Sequence, residues 1–453
     1  MAGKKETVYF FILQLFSKAL TYVLLIVFAN LFILTDYGEA SFVLAGFTLL
    51  GVLAQIGVPH ALVPYLVKKS KDLNSVAWFL LLDSFFFTVL GLLISFNYPW
   101  VLPLVLTLPL LLFYGLGRAV FRSEHKHHLV QITDTLFIFL TFAFVLLLHS
   151  KGRDGIILAY AASNALVSII TIWLARRRLA ELYSKPAFDL PVIKYYFIKA
   201  SLIFAIFLSI DVLGRIDSVL LGFLSSYDNV ARYNVASSIA SIISVIPLSL
   251  SMFLLTRSAE VEQKEASESI FNRCLRISFT LSFLLAILLS AFIFLLDGFL
   301  FRQYVGIELF VVILSAGVLF NSVYFLFYTY LAGKLRPEKA VLPMVGAAII
   351  NIVLDVALIP SLGVYGICIA TLAAQVFAFT IFARKHFKLT RLVVPYVAPL
   401  FLGVVFVFRE FGALLLIPAI FLIIKSGWFD RGDWNVIKET VSKIIGSKTR
   451  VVA

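Results

Sequence analysis

The chain has 453 residues, 61% of them hydrophobic and 14% charged, with a mean hydropathy of +1.01. No soluble domain carries so little polar surface, so the composition places the chain among polytopic membrane proteins. The formal net charge of +13 comes without a basic, aromatic-interleaved stripe outside the apolar stretches, which excludes a nucleic-acid surface.

Apolar runs of about 15 to 27 residues, broken by short polar clusters, predict membrane spans. In chain order they are Val8–Leu34, Ser41–Val67, Ser75–Ser95, Pro99–Leu116, Leu129–His149, Ile156–Ala175 and Ile193–Leu224. The second half continues with Asn229–Thr256, Phe271–Leu296, Gly306–Leu331, Val341–Pro360, Tyr365–Ala383, Leu392–Phe408 and the short Phe411–Ile424. The reading is an all-α membrane protein of about fourteen spans.

Charge placement orients them. With Lys4 and Lys5 inside, the clusters Lys68/Lys69/Lys71, Arg118/Arg122/Lys126, Arg176/Arg177/Arg178, Arg257/Lys264, Lys334/Arg336/Lys339 and Arg384/Lys385/Lys388 also fall inside. So does the basic tail, which predicts cytoplasmic N- and C-termini. About 30 of the 38 basic residues are then cytoplasmic, and only Lys18, Lys199 and Arg215 lie within the membrane. The positive charge is therefore topogenic. The first span is longer than a signal-peptide core and lacks a small-residue cleavage site, so it is expected to be retained. Cys274 and Cys368 form neither a disulfide framework nor a metal cluster.

The two halves echo each other. The turn after span 5 and the turn after span 11 share G-x-x-G-I-x-x-A-x-x-A, through Gly152, Gly155, Ile156, Ala159 and Ala162 against Gly363, Gly366, Ile367, Ala370 and Ala373. "FILTDYGEASFVLA" after span 1 resembles "GFLSSYDNVARYNVA" after span 7, and Pro59 and Pro247 sit at similar places in spans 2 and 8. Six spans return the chain to the same side, so the copies run in the same orientation. The expected organisation is an N-lobe at 1–180, a C-lobe at 181–390, two added spans at 391–426 and a cytoplasmic basic tail at 427–453. Small residues also recur by chance in helical bundles.

Span 7 carries three charges. A charge at mid-bilayer costs about 2.5–3.5 kcal/mol on insertion scales, so each needs a partner or water. Asp211 and Arg215 are spaced i,i+4 with the acid first, the favourable order for an intrahelical pair. Asp217 points about 200° away from Arg215 and must find its partner on another helix. Asn351 and Asp355 share a face of span 11, and Ile367 and Thr371 share one of span 12. Counted at 1.5 Å per residue, Asp217 and Asp355 lie at similar depths, about 10 and 8 Å from the outer ends. Two carboxylates, an amide oxygen and a hydroxyl at one depth suit a small cation such as Na⁺, or a proton-sharing acid pair. A buried hydrogen-bond network without an ion is the structural alternative.

A polar stripe on span 1 holds Gln14, Ser17, Lys18 and Thr21; span 2 repeats Ser41, Thr48 and Gln55; span 8 offers Asn234, Ser237, Ser238, Ser241 and Ser244. Spans 1, 2, 7 and 8 thus read as walls of an aqueous cavity, with Lys18 and Arg215 making it positive. Such a cavity suits an anionic substrate such as a lipid phosphate or pyrophosphate, while serines that only join helices are the bland reading of span 8. Lys199, near the inner end of span 7, reads as a snorkelling side chain. Asp83 and Asp134 have no evident partners. "EHKHH" at 124–128 reads as a solvated turn, and neither a G-x-x-x-x-G-K-[ST] loop nor a G-x-S-x-G elbow is present.

"GRIDSVLLGFLSSYDNVARYNVASSIASIISVIP" and "NIVLDVALIPSLGVYGICIATLAAQV" resemble the polysaccharide-transporter branch of the multidrug/oligosaccharidyl-lipid/polysaccharide (MOP) exporter superfamily. That branch includes O-antigen flippases and, more distantly, lipid II flippases. The resemblance spans nearly the whole chain. It implies two six-helix lobes around a central cavity, alternating access, and a lipid-linked oligosaccharide as cargo, with membrane lipids around it. It further implies a non-enzymatic monomer that serves glycan polymerases or glycosyltransferases of one pathway. Cationic cavity residues would hold the lipid's phosphates, a role that falls here on Lys18 and Arg215, with Asp211, Gln14, Gln55 and Asn234 beside them. In lipid II flippases a sodium site resembles Asp217, Asn351, Asp355 and Thr371, with the Ile367 carbonyl as a further ligand. This chain departs in having a single lysine in span 1 and no cation in span 2, which favours a phosphate-linked oligosaccharide over lipid II.

Two other functions fit an apolar chain. A cation-coupled exporter of small organic compounds would need an acid-rich cavity without Lys18 and Arg215, and twelve spans. A membrane polymerase or ligase would need a sizeable external loop, and none here exceeds about ten residues.

Overall fold

A computed structural model describes residues 2–55, 66, 73–124, 126–185, 188–260, 264–304, 306–334 and 338–386. Regular structure among them is helical throughout. The long helices are α1 (Ala2–Leu31), α2 (Leu34–Gln55), α3 (Leu73–Asn97), α4 (Leu108–Ser123), α5 (His127–Leu148), α6 (Gly152–Leu182) and α7 (Leu190–Leu224). They continue as α8 (Tyr227–Ala240), α9 (Val245–Glu260), α10 (Lys264–Leu300), α11 (Glu308–Gly333), α12 (Glu338–Leu362) and α13 (Val364–His386). Nine helical stretches among the described residues are long and apolar enough to cross a membrane. The last two predicted spans, the basic tail, Pro59 and the Lys68/Lys69/Lys71 cluster lie outside the described residues.

Most boundaries follow the sequence pattern, and proline explains the interruptions. Span 4 begins with a 3₁₀ turn at Pro99–Val101 and a short helix at Leu102–Val105 before α4 starts with Pro109 in its first turn. A proline lacks the N–H that a first turn leaves unused anyway. Span 8 is divided into α8 and α9 by a 3₁₀ turn at Ser241–Ser244. Pro247 cannot donate to Ile243, and its ring would clash with that carbonyl in a regular helix. At the start of α7, the Asp189 carboxylate accepts from the Val192 N–H at 3.2 Å, with Pro191 in the first turn.

The described contacts divide into two compact units. The first contains the residues up to Val235 with Ala347–Ile367; the second contains Ala236–Gly346 and the described residues from Cys368. In the first, Leu73, Val76, Ala77 and Leu80 of α3 pack with Leu112, Leu116 and Val120 of α4 and with Leu179 and Leu182 of α6. The opposite face of α3 exposes Leu82, Phe85, Phe86, Val89, Leu93 and Phe96. So wide an apolar exterior matches a lipid surround. In the second unit, Phe283, Ala286 and Ile287 of α10 pack against Val312, Ala316 and Leu319 of α11.

The echoed turns share a glycine of positive φ. Gly152 opens α6 and Gly363 precedes α13, each with positive φ, +56° and +55°, a conformation that L side chains rarely adopt. Three residues on, a Cβ at Gly155 would overlap the Leu148 carbonyl oxygen, and one at Gly366 would overlap that of Leu358. Asp36, in the first turn of α2, lies against Gly152, and Asn229, in the first turn of α8, lies against Gly363. These four turns therefore meet at one end of the first unit.

Candidate functional site

Helix α7 separates its charges as its periodicity requires. Asp217 is fully buried at 0% exposure, and so are Asn351 and Asp355 of α12. The Tyr233 hydroxyl of α8 donates to Asp217 Oδ2. Asp355 stands close enough to Asp217 for the two carboxyl groups to act on each other. No described residue donates to either Asp355 oxygen, nor does any bond the Asn351 carboxamide. Buried polar atoms of this kind cost about 1–3 kcal/mol each when left unsatisfied. The donor set, two carboxylates, a carboxamide oxygen and a phenol, is all oxygen and fits a proton or a small hard cation. Ile367 is buried in the same unit, at 0% exposure. Thr371, one helical turn further along α13, belongs to the second unit. Among the described residues no three His, Cys, Asp or Glu side chains gather as a metal group.

One residue along α7, the Ser218 hydroxyl donates to Asn234 Oδ1 at 3.0 Å, while Asn234 Nδ2 donates to the Val230 carbonyl at 3.0 Å. Residues 217 and 218 thus meet 233 and 234, joining α7 to α8. Tyr233 had no signal as a site residue in the sequence, because a tyrosine on a mostly apolar helix face reads as core.

Arg215 faces elsewhere. It lines a cavity of about 170 Å³ with Ser218, Asn234, Tyr37, Ser41 and Tyr160. Hydroxyls, a carboxamide and a guanidinium give that wall its polarity. Asp211 acts on Arg215 electrostatically without a direct ion pair, so the i,i+4 spacing brings the two near but not into contact. Gln55, half-buried at the end of α2, is not part of this wall, and the side chain of Gln14 lies outside the described residues.

Lys18 is also absent from the cavity wall; its charged neighbour is Asp134 of α5. Asp134 is well partnered. Its Oδ1 accepts from the Tyr114 hydroxyl at 2.5 Å and its Oδ2 from Arg118 Nη2 at 2.9 Å, both on α4. In the "EHKHH" stretch Glu124 receives Lys126 at 2.7 Å and Arg178 at 3.3 Å, and these cations hold its carboxyl below the usual carboxylate range. At the other end, Arg153 Nη1 donates to Glu39 at 2.7 Å and its guanidinium stacks 4.4 Å from the Trp100 ring. Thr35 Oγ1 donates to Asp228 at 2.7 Å.

The family model for the polysaccharide biosynthesis protein matches residues 4–255, more than half of the chain. The chain belongs to that family. No curated protein matches it by sequence. Among solved structures, the lipid II flippase MurJ in an inward closed conformation is similar, with a TM-score of 0.71 and 15% identity over 93% of this chain and 99% of that one. An inward-facing multidrug resistance MATE transporter of the MOP superfamily gives a TM-score of 0.58 and 14% identity, over 86% of this chain and 99% of the other. A Vibrio cholerae MATE transporter gives 0.53 and 16%, over 85% and 95%. This member of the polysaccharide biosynthesis protein family therefore has the helical fold of MOP-superfamily membrane transporters.

Proposed function

We propose that the chain is a flippase that carries a lipid-(pyro)phosphate-linked oligosaccharide across the cytoplasmic membrane by alternating access, coupled to Na⁺ or H⁺. One observation carries this reading: on a single helix, Arg215 faces a polar cavity while Asp217, two residues on, is buried against Asp355. The arginine supplies charge-assisted hydrogen bonds to a phosphate, and the acid pair beside Asn351 takes up the coupling cation. Two carboxylates in an apolar interior repel each other unless a proton or a cation stands between them, so loading stabilises the local packing of α7, α8 and α12. Ile367 would add its carbonyl oxygen. The family's connection with polysaccharide biosynthesis supports a sugar cargo, and a cationic cavity wall favours it over a small-molecule export substrate. The termini would face the cytoplasm, where the basic clusters lie.

The test is a reconstituted flipping assay with polyprenyl-diphosphate-linked glycans, run with and without a sodium or proton gradient. Translocation that a gradient accelerates is the expected result. Movement of an organic cation in place of the glycan would move the chain to the exporter reading.

A further inference from the structure

Three arginines of the first unit stack on aromatic rings among the described residues: Arg118 on Tyr114, Arg153 on Trp100 and Arg176 on Trp173, the last at 5.2 Å. Arg118 also pairs with Asp134, and Arg153 with Glu39 and Asp154, so carboxylates of the protein account for both. Arg176 has no carboxylate. Neither it nor Arg177 makes an ion pair or a side-chain hydrogen bond with any described residue. Arg178, the next in sequence, holds Glu124 at 3.3 Å and Glu181 at 2.8 Å.

Helical geometry separates these neighbours. At about 100° per residue, Leu166, Ile169, Trp173, Arg176 and Arg177 fall within one stripe of α6 about 100° wide, and Arg178 points off it. The whole stripe is exposed, Trp173 at 61%, while the opposite face buries Ala175, Leu179 and Leu182 among side chains of α3 and α4. An exposed apolar stripe on a membrane span meets lipid tails. At 1.5 Å per residue, Trp173 lies about 32 Å from Gly152 and the two arginines about 36–38 Å, against a hydrocarbon thickness of about 30 Å. The stripe therefore passes from the tail region at Leu166 and Ile169 to the headgroup layer at Arg176 and Arg177. The indole stands at the boundary, where tryptophan is favoured.

From this stripe we infer that Trp173, Arg176 and Arg177 bind the headgroup of an anionic phospholipid of the surrounding bilayer. The ring holds the Arg176 guanidinium at the membrane surface, so its fork of N–H groups meets a phosphate with little side-chain freedom left to lose. Arg177 adds a second fork and the Trp173 N–H a further donor, and the acyl chains lie along Ile169 and Leu166. A topogenic cation needs only its charge, which lysine supplies; a stacked guanidinium without a carboxylate is arranged for a bidentate acceptor. Glu181, four residues beyond Arg177, is the nearest acid in sequence, and Arg178 takes it. The inference rests on α6 crossing the bilayer and not on the cargo proposed above.

Fluorescence quenching of the purified full-length protein in bilayers, by phosphatidylglycerol and by phosphatidylcholine each dibrominated near the top of the acyl chain, tests it. The Trp173 share of the signal is the difference between each protein and the same protein carrying Trp173→Phe. Phosphatidylglycerol is expected to displace phosphatidylcholine from Trp173 with a preference of about fivefold or more. Arg176→Gln combined with Arg177→Gln should abolish that preference at an unchanged melting temperature. Arg176→Lys combined with Arg177→Lys keeps the charge and loses the planar forks, so its preference should fall between. Lys185→Gln removes an exposed cation beyond the end of α6 and should leave the preference as it is. Equal quenching by the two lipids in the parent, or an undiminished preference in either double variant, overturns the inference. So does an equal loss in Lys185→Gln, the mark of diffuse surface charge.

Discussion

Tyr233 donates its hydroxyl hydrogen to Asp217 inside the protein, where neither side chain meets solvent. The bond joins α7 to α8 at the level of the Asp217–Asp355 pair. Tyr233→Phe removes the donor and leaves a buried carboxylate oxygen short of a partner, at a cost of about 1–3 kcal/mol. A lower melting temperature is expected, and cations present at saturating concentration should recover part of the loss because they bind the folded site. A melting temperature that ignores both substitution and cation would remove Tyr233 from the site.

Arg215 tests the cavity. Arg215→Ala should reduce transport of a phosphate-linked glycan at least tenfold, and Arg215→Lys should keep more of it, since charge survives while bidentate geometry does not. Initial rates in proteoliposomes give the ratio. Equal rates in parent and alanine variant would mean that the guanidinium does not hold the phosphate.

At the turn end, α2 approaches the α7–α8 connection as closely as a backbone can. A Cβ at Gly38 would overlap the Tyr227 carbonyl oxygen, and Gly222 leaves room for the ring of Phe42. Gly38→Ala must push these segments apart, and overpacking of this kind costs about 1–3 kcal/mol. Disulfide yield between Thr35→Cys and Asp228→Cys, two residues whose side chains are hydrogen-bonded in the parent, should fall when Gly38→Ala is added. An undiminished yield would show that the contact tolerates the methyl group.

The paired glycines bear on the repeat. Gly152→Ala and Gly363→Ala each force an L residue to positive φ, which costs about 1–2 kcal/mol. Both should lower the melting temperature, Gly152→Ala by more, because a methyl group there also overlaps the Asp36 carboxylate, whereas at Gly363 the nearest atom, Asn229 Nδ2, lies 3.7 Å away. A large effect at one and none at the other would separate the two turns.

Much of this was legible in residue order. Hydropathy marked the helices, and the G-x-x-G-I pattern marked two turns that the structure gives the same backbone angle. Helical periodicity alone set Asp217 apart from Arg215, and the structure buries one and opens the other to a cavity. What stayed hidden depends on contacts between elements. The partners of Asp134, Tyr114 and Arg118, reach it from α4, and sequence position alone places Arg118 among the topogenic charges. Lys18 and Arg215 look alike as membrane cations, yet the rotation and depth of their helices give them different neighbours. The 3₁₀ turn between α8 and α9 was foreshadowed by Pro247, but a proline within an apolar run fixes only that the helix is disturbed, not how.

The central claim is that the Asp217–Asp355 pair couples a cation to movement of the cargo. Asp355→Asn keeps the shape of the side chain and removes one of the two charges. Reconstituted with a polyprenyl-diphosphate-linked glycan, the parent should flip faster under an imposed sodium or proton gradient, while Asp355→Asn should flip at one rate with or without it. The same acceleration in both proteins would contradict the account.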